Sequence, residues 1–226
     1  MKKAILLFIS VFLICSMLAL TACSSDQVTN ENEGSVTENT ENAEENTEEN
    51  AEEESEIAFT DSVGLNYYLN DDAAGYTVYG IGSFKGDCLV IPEVYNGLPV
   101  VNIDEYAFSG CDQIKTLVIS KNIKKIAYKA FYSCTMLEEI YFRAENMEDL
   151  EENNKVFYNA GKSTEGISVF FGKDVVKIPA YLFNPFSNLY TPNIKKMSFW
   201  KASECTSIGK YAFSGCDALT NVDIPE

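Results

Sequence analysis

The heptapeptide YAFSGCD occurs twice in this 226-residue chain, at Tyr106–Asp112 and again, letter for letter, at Tyr211–Asp217. Aligning the sequence on its phenylalanine reveals five copies of a longer unit. The five positions are Phe108, Phe131, Phe157, Phe183 and Phe213, spaced by 23, 26, 26 and 30 residues. A period of roughly 20–50 residues is typical of solenoids. The duplicated stretch therefore predicts a repeat architecture rather than a chemical site used twice.

Two further positions recur around each phenylalanine. Isoleucine stands five residues before it in every copy except the third, which has Glu152 there. Cysteine stands three residues after it in three copies, whereas Ala160 and Phe186 replace the thiol in the other two. Such tolerance fits a packing position and not a reactive one. The predicted repeat core consists of Ile103, Phe108, Cys111, Ile126, Phe131, Cys134, Ile178, Phe183, Ile208, Phe213 and Cys216.

The spacing within one copy predicts its local structure. Ala107, Phe108 and Cys111 are three and four residues apart, so one helical turn would place them on a common face. The segments LVIS at 117–120, EIYF at 139–142 and VDIP at 222–225 alternate apolar with variable residues, as half-buried strands do. One such unit cannot cover its own apolar face. The sequence therefore predicts a solenoid that is mainly β with short helical turns, in which stacked copies form the core.

Alternation along the strands also predicts an outward face. If Leu117 and Ile119 point inward, the residues between them point outward, and the same holds in the later copies. The predicted ligand face consists of Thr116, Val118, Glu139, Tyr141, Lys196, Ser198, Asn221 and Asp223. Tyr141 is the favoured contact residue of this set because its ring is amphipathic. The alternative is an ordinary solvated sheet face.

The N-terminus has the pattern of an export signal. Lys2 and Lys3 precede an apolar run over 4–20, which ends in LTAC, and this order is typical of a secretory signal peptide. The tetrapeptide resembles the bacterial lipobox, which implies cleavage after residue 22 and lipidation of Cys23. Residues 1–22 are therefore predicted to be a lipoprotein signal peptide. The alternative is a transmembrane anchor, for which the run is at the short limit.

An acidic tether is predicted to follow the lipidated cysteine, giving a segment over 23–56. Residues 24–56 contain thirteen acids and no base, so they cannot bury enough apolar surface to fold. The alternative is a weak calcium or cationic-surface binder. From residue 57 onward 21 acids face 15 bases, a net charge of −6. No basic patch of the kind that nucleic acids require is present in that part.

Catalysis and metal binding find little support in the composition. The chain has no histidine, which excludes Ser-His and Cys-His dyads and imidazole ligands. Acid pairs such as Glu138 and Glu139 are common on acidic surfaces, and GIGSFKG at 80–86 lacks the strand-to-helix setting of a phosphate loop. Five cysteines remain after residue 23, an odd number that fits buried thiols better than a disulfide framework. No catalytic residue, metal or cofactor is therefore predicted.

The repeated pattern resembles the BspA-like, or Treponema-type, leucine-rich repeat. The segments that carry the resemblance are VVNIDEYAFSGCDQIKTLVIS, IKKIAYKAFYSCTMLEEIYF and CTSIGKYAFSGCDALTNVDIPE. It extends from Tyr76 to the C-terminus and is weakest over 144–173. On this basis 57–99 is predicted to be a hairpin-rich entry segment, and 100–226 the repeats, which stop without a cap.

The resemblance also implies a function. It implies a cell-surface lipoprotein, exported and lipid-anchored to the outer face of a bacterial membrane, whose repeats adhere to host or microbial surface proteins such as fibronectin or fibrinogen. Two alternatives remain at this stage. One is a stalk or spacer with no ligand of its own. The other is a glycan-binding accessory of an envelope hydrolase, for which Tyr141 and Trp200 are the aromatic candidates.

Overall fold

The computed structural model describes residues 57–185, 191–200 and 203–223, and every helix or strand found among them is a β-strand. The strands are β1 (Asn66–Leu69), β2 (Tyr76–Gly80), β3 (Cys88–Val90), β4 (Val94–Tyr95), β5 (Leu98–Ile103), β6 (Thr116–Ile119), β7 (Lys125–Ile126), β8 (Glu139–Phe142), β9 (Ile167–Phe171), β10 (Lys177–Ile178), β11 (Ile194–Phe199), β12 (Ser207–Ile208) and β13 (Asn221–Asp223).

The main sheet has six parallel strands in the order β3, β6, β8, β9, β11 and β13. Consecutive strands come from consecutive copies of the repeat. Leu117 pairs with Ile140, and Ile140 pairs with Val169. Met197 continues this row beside Val169 and Val222. Each copy therefore adds one strand to the sheet, and the predicted repeat solenoid is confirmed.

A second, shorter set of parallel strand pairs contains the recurrent isoleucines. Ile103 in β5 pairs with Ile126 in β7, and Ile178 in β10 pairs with Ile208 in β12. The third copy, which has Glu152 at this position, contributes no strand between β7 and β10. There the amide of Glu148 donates to the carbonyl of Lys124 at 2.9 Å, and the amide of Leu150 donates to the carbonyl of Ala180 at 3.1 Å. Backbone hydrogen bonds thus continue the contact between copies where the strand is missing.

The structure differs from the sequence prediction at the short helical turns, because the described residues contain no helix. The backbone is left-handed two residues before each phenylalanine, and a left-handed residue ends any right-handed helical run. These positions are Tyr106, Lys129, Lys155, Tyr181 and Tyr211, with φ between 52° and 59°. The segment forms successive tight turns in place of a helical turn.

Alternate amides of the turn segment bond to the next copy. In the first copy the three between-copy donors are Tyr106, Phe108 and Gly110, which reach the carbonyls of Tyr128, Ala130 and Tyr132 at 3.1, 2.8 and 2.8 Å. The intervening amides donate to carbonyls three residues back, as Ala107 does to Asp104. All these polar groups are satisfied without a helix. The YAFSGCD segment is therefore a ladder element between copies as well as a turn.

Aromatic rings run through the core in a continuous stack. Phe131 lies 5.4 Å from Phe108 and 5.3 Å from Phe157, measured between ring centroids. Phe183 contacts Phe157 at 5.2 Å and Phe213 at 5.8 Å. The predicted core residues are buried, with three exceptions: Cys111 and Phe213 are half-buried, and Ile208 is 46% exposed. Ile208 lies in β12, which among the described strands pairs only with β10, so its outer side is uncovered.

The entry segment before the first full copy is rich in hairpins. Strands β1 and β2 are antiparallel, as are β4 and β5. Strand β2 also pairs in parallel with β5, which joins the hairpin to the repeats. Strand β3 lies at one edge of the main sheet. The entry segment is thus built into the solenoid at that edge, while the limits 57–99 and 100–226 stay a prediction.

Candidate interaction surface

The outward face of the main sheet brings the predicted ligand residues into two rows. The 23-residue spacing predicts Thr116 beside Glu139 and Val118 beside Tyr141, and the register of β6 and β8 has these pairs. Strands β11 and β13 likewise pair Lys196 with Asn221 and Ser198 with Asp223. The face itself is therefore one continuous surface whose residues come from different copies.

Two residues of that face are not accessible. Val118 is 1% exposed and Thr116 is 9% exposed, although both point away from the core. Val118 is covered by the segment over 57–62, which lies against the same face and which we call the strap. The ring of Phe59 in the strap contacts Tyr141 at 4.7 Å. Thr116 and Val118 are therefore not exposed in this arrangement of the chain, and their contact with a ligand stays a prediction.

Sequence reasoning missed the contribution of the third copy. Strand β9 places Ser168 beside Glu139 and Phe170 beside Tyr141, both on the outward face. This copy has Glu152 and Ser163 at positions that are apolar elsewhere, so its strand was not assigned from the repeat alignment. The alternating segment ISVFF at 167–171 was the local signal that could have identified it. With β9 included, the outward rows are continuous from β6 to β11.

An aromatic and basic notch lies on the half of the face that remains open. It is lined by Tyr141, Arg143, Phe170, Lys173 and Trp200. The rings of Tyr141 and Phe170 are stacked at 4.8 Å. Aromatic and arginine side chains are the residues that contribute most often to binding energy in protein interfaces. This notch has the composition of an interaction site.

A polar depression lies next to the notch along the direction of the strands. Its lining includes Glu138, Glu139, Glu165, Ser168 and Lys195. The ammonium of Lys195 lies 4.0 Å from the carboxylate of Glu165. Because Glu165 is almost fully exposed, this ion pair contributes little stability. The depression offers hydrogen-bonding groups beside an aromatic centre, an arrangement found at the rim of protein interfaces.

Tyrosines form a second aromatic surface along the turns. Tyr132 stacks on Tyr158 at 5.2 Å, and Tyr106 meets Tyr128 edge to face at 5.6 Å. The ammonium of Lys129 lies over three of these rings at 4.7 to 5.3 Å. Their stacking along the turn edge explains them as contacts between copies.

The cysteines of the repeats have the environment of buried, unreactive thiols. Burial raises the pKa of Cys134, whose Sγ donates to the carbonyl of Phe108 at 3.1 Å. Burial also raises the pKa of Cys216 to about 12, with a smaller contribution from Asp217. Nucleophilic and metal-binding cysteines need the thiolate. Among the described residues, no group of three or more cysteines and carboxylates is arranged to hold a metal ion.

Several predictions fall on residues that the structure does not describe. The signal peptide, Cys23 and the acidic tether lie outside the described residues, as do 224–226. In the part of the chain that the structure does describe, no helix has the length and apolar character needed to span a bilayer. The side chains of Asn221 and Asp223 are likewise not described.

The repeat sequence matches a known family over most of its length. Residues 82–201 and 185–226 match the BspA type leucine rich repeat region, in six copies. This chain belongs to the BspA-type leucine-rich repeat family. Its main sheet also has six strands, beginning with β3 in the entry segment. As a BspA-type repeat protein, the chain is a repeat module of the protein-binding kind, and families of this kind are typically non-enzymatic scaffolds.

Three solved structures are similar to this BspA-type protein. The first is a leucine-rich repeat protein from T. pallidum, 20% identical, with 72% of this chain and 91% of that chain covered and a TM-score of 0.36. The second is a leucine rich cell surface protein from Faecalibacterium prausnitzii, 17% identical, with 74% and 54% covered and a TM-score of 0.37. The third is a leucine-rich repeat protein from Bacteroides ovatus, 20% identical, with 74% and 41% covered and a TM-score of 0.43.

The BspA-type chain thus spans about half of the F. prausnitzii protein and less of the B. ovatus protein. No curated protein matches it.

Proposed function

We propose that this protein is a bacterial cell-surface lipoprotein whose leucine-rich repeats bind a protein ligand, with adhesion to host or microbial surface proteins as its role. The observation that supports the binding site is the aromatic and basic notch beside the polar depression on the outward sheet face. A ligand would contact Glu139 and Tyr141 of β8, Ser168 and Phe170 of β9, and the exposed Lys196 of β11.

The physical argument for this face rests on its shape and composition. Parallel strands stacked by a repeat give a broad, rigid surface, and solenoids use such extended surfaces for large partners. Tyr141 and Phe170 supply apolar area, while Glu139 and Lys196 supply charges of both signs. A protein ligand fits this mixture better than nucleic acid does, because the net charge from residue 57 onward is −6.

A binding experiment with paired variants tests this proposal. The chain is titrated over immobilised fibronectin and fibrinogen, and the variant Tyr141→Ala Phe170→Ala is compared with Tyr106→Ala Tyr132→Ala on the turn edge. We expect at least tenfold weaker binding for the first variant and unchanged binding for the second. Equal losses in both variants would contradict the assignment of the face. Absence of binding by the unmodified chain to both proteins would contradict this adhesion role and favour a stalk or spacer.

Lipid anchoring is a separate part of the proposal. LTAC at 20–23 and the acidic segment after it support a lipidated Cys23 on a tether that holds the repeats away from the membrane. Metabolic labelling with palmitate in a bacterial host is expected to label the unmodified chain and not Cys23→Ala. Lack of label in the unmodified chain would remove the anchor from the proposal.

Glycan binding is the second candidate function. Three aromatic side chains, Tyr141, Phe170 and Trp200, line the same notch. Aromatic platforms of this kind favour carbohydrate as well as protein. Trp200 is the single tryptophan of the chain, so its fluorescence reports on the notch. A saturable change on titration with soluble cell-wall oligosaccharides would favour this candidate, and an unchanged spectrum would exclude it for those glycans.

A further inference from the structure

The strap over residues 57–62 is held on the sheet by specific contacts. At one end the amide of Ser62 donates to the carbonyl of Val90 at 3.1 Å, and the amide of Val90 donates to Oγ of Ser62 at 2.9 Å. Val90 belongs to β3, which is an edge strand of the main sheet, and the backbone groups on the outer side of an edge strand need partners outside the sheet. Ser62 supplies such partners to both backbone groups of Val90.

The other end of the strap reaches the notch. Arg143 donates from Nη2 to the carbonyl of Ile57 at 2.6 Å, and its guanidinium lies 5.0 Å from the centre of the Phe59 ring. The same ring meets Tyr141 edge to face. Cation–π and edge-to-face contacts are both favourable for an aromatic ring in this position. Tyr141 and Arg143 thus recognise a phenylalanine and a backbone carbonyl of an extended chain.

The path between the two ends explains why Val118 is buried. Three extended residues span roughly 10 Å, and neighbouring strands lie about 4.8 Å apart, so residues 59–62 reach across two strands. From Ser62 at the edge to Phe59 at Tyr141 the strap crosses the outward side of β3 and β6. Val90 and Val118 are at most 5% exposed beneath it.

Charge complements these contacts. In the sequence the strap follows the acidic segment EEESE at 52–56, while the notch carries Arg143 and Lys173. A segment with a phenylalanine and neighbouring acids therefore matches the aromatic and basic composition of the notch. Since the strap is part of the same chain, its effective concentration at the notch is high, on the order of millimolar for a short connection.

We propose that Tyr141 and Arg143, at the edge of the notch, form a recognition site for an extended acidic protein segment that presents a phenylalanine, and that the chain's own strap covers these two residues until such a segment displaces it. This inference deepens the proposed function, since it states the chemistry of the ligand that the face selects. A partner gains affinity by offering the same phenylalanine with additional contacts to Phe170 and the polar depression, which the strap does not reach.

A synthetic peptide tests the inference in the full chain. The peptide EEESEIAFTDS copies residues 52–62, and Trp200 fluorescence reports its binding. The variant Phe59→Ala removes the ring of the strap from Tyr141 and Arg143, while Ser62 keeps its hydrogen bonds at the edge. We expect this variant to bind the peptide at least tenfold more tightly than the unmodified chain. Adding Arg143→Ala should abolish the gain, and Val63→Ala, at a neighbouring side chain that is 86% exposed, should leave peptide binding as in the unmodified chain.

The outcomes separate this inference from the proposed function. A peptide with alanine in place of phenylalanine should bind at least tenfold more weakly to Phe59→Ala. Equal binding of the two peptides, or no gain in Phe59→Ala with an unchanged thermal unfolding curve, would overturn the inference. If Phe59→Ala lowers the unfolding temperature, excess peptide must restore it, and failure to do so would also overturn the inference. Binding to fibronectin or fibrinogen is measured independently, so the adhesion role can fail while the peptide result stands.

Discussion

The backbone conformation and the burial of a position explain which residue type the repeat has there. The residue two places after each phenylalanine is left-handed in four copies, where it is Gly110, Ser133, Asn159 or Gly215. Glycine adopts this conformation without steric cost, and asparagine tolerates it better than most residues. Backbone geometry at the glycine and packing at the phenylalanine and cysteine thus explain why these three residues recur in both copies of YAFSGCD.

The side chain of Tyr67 combines a well-packed ring with a hydroxyl that lacks a hydrogen-bond partner among the described residues. Its ring stacks on Tyr95 at 4.0 Å, and its hydroxyl is buried with no hydrogen-bond partner among the described residues. A buried hydroxyl without a partner costs about 1–3 kcal/mol. We expect Tyr67→Phe to raise the free energy of unfolding by about 1 kcal/mol in urea denaturation. The exposed Tyr79→Phe is the control, and equal effects of the two substitutions would contradict the argument.

The same residue gives a pH dependence. Burial, with smaller contributions from Tyr95 and Asp61, raises the pKa of Tyr67 from 10.0 to about 12. The folded state disfavours the phenolate form of Tyr67, so ionisation of this side chain destabilises the fold. The free energy of unfolding is therefore unaffected below pH 10 and falls as the pH rises from 10 to 12. Tyr67→Phe should therefore lose less stability than the unmodified chain over that interval. Absorbance at the phenolate band should show one fewer late-titrating tyrosine in the variant.

Thiol reactivity distinguishes buried from accessible cysteines. Burial raises the pKa of Cys134, so neither access nor ionisation favours alkylation in the folded state. Cys205 is only half-buried. We expect iodoacetamide at pH 8 to label Cys205 at least tenfold faster than Cys134, as measured by mass spectrometry of peptides. Equal rates in the folded chain would contradict the packing role of Cys134, whereas rates should converge in denaturant.

At the scale of elements, neighbouring copies are joined by parallel strand pairs and by the turn ladder. The amide of Gly209 donates to the carbonyl of Ile178 at 2.8 Å, next to the short pair of β10 and β12. The backbone of the preceding copy approaches so closely there that little space remains for a side chain. Glycine is therefore needed at this position because a side chain would push the two copies apart, and not because of a turn conformation.

A pair of glycine substitutions tests this close approach. A Cβ on Gly209 would lie 2.2 Å from the amide nitrogen of Ala180, so Gly209→Ala must separate the two copies. A Cβ on Gly110 would meet nothing within 4 Å, and only its φ of 70° is unfavourable. We expect about 1 kcal/mol of destabilisation for Gly110→Ala and at least 3 kcal/mol for Gly209→Ala, from denaturant titrations. Equal values would contradict the steric argument.

At the scale of the described solenoid, stability depends on contacts between neighbouring copies. In such arrays each copy is stabilised mainly by its two neighbours, so a central defect costs more than one near an end. The ring of Phe131 lies between two others, while Phe213 is half-buried and contacts Phe183 and Phe171 at longer distances.

Alanine substitutions along the stack test this position dependence. We expect Phe131→Ala to cost about 3–5 kcal/mol, the range for a fully buried phenylalanine, and Phe213→Ala to cost at most half as much. Thermal and urea unfolding, followed by circular dichroism, measure both. A larger cost for Phe213→Ala than for Phe131→Ala would contradict this position dependence.

Much of the fold was determined by the sequence itself. The recurrence of phenylalanine, isoleucine and alternating apolar residues required copies that stack, because no single copy can bury its own apolar face. The same alternation placed Tyr141 and Lys196 on the outward side and gave the pairing of Thr116 with Glu139, since side-chain direction follows from a period of two. These features depend on residues close together in the chain.

Only the tertiary structure decided which outward residues a partner can reach. Phe59 and Tyr141 are far apart in sequence, and no local periodicity encodes their contact or the resulting burial of Val118. The notch likewise joins Arg143, Phe170 and Trp200 from different copies, one of which has an irregular repeat pattern. Periodicity determines the direction of a side chain, whereas access to it depends on long-range packing of segments that lie outside the repeat.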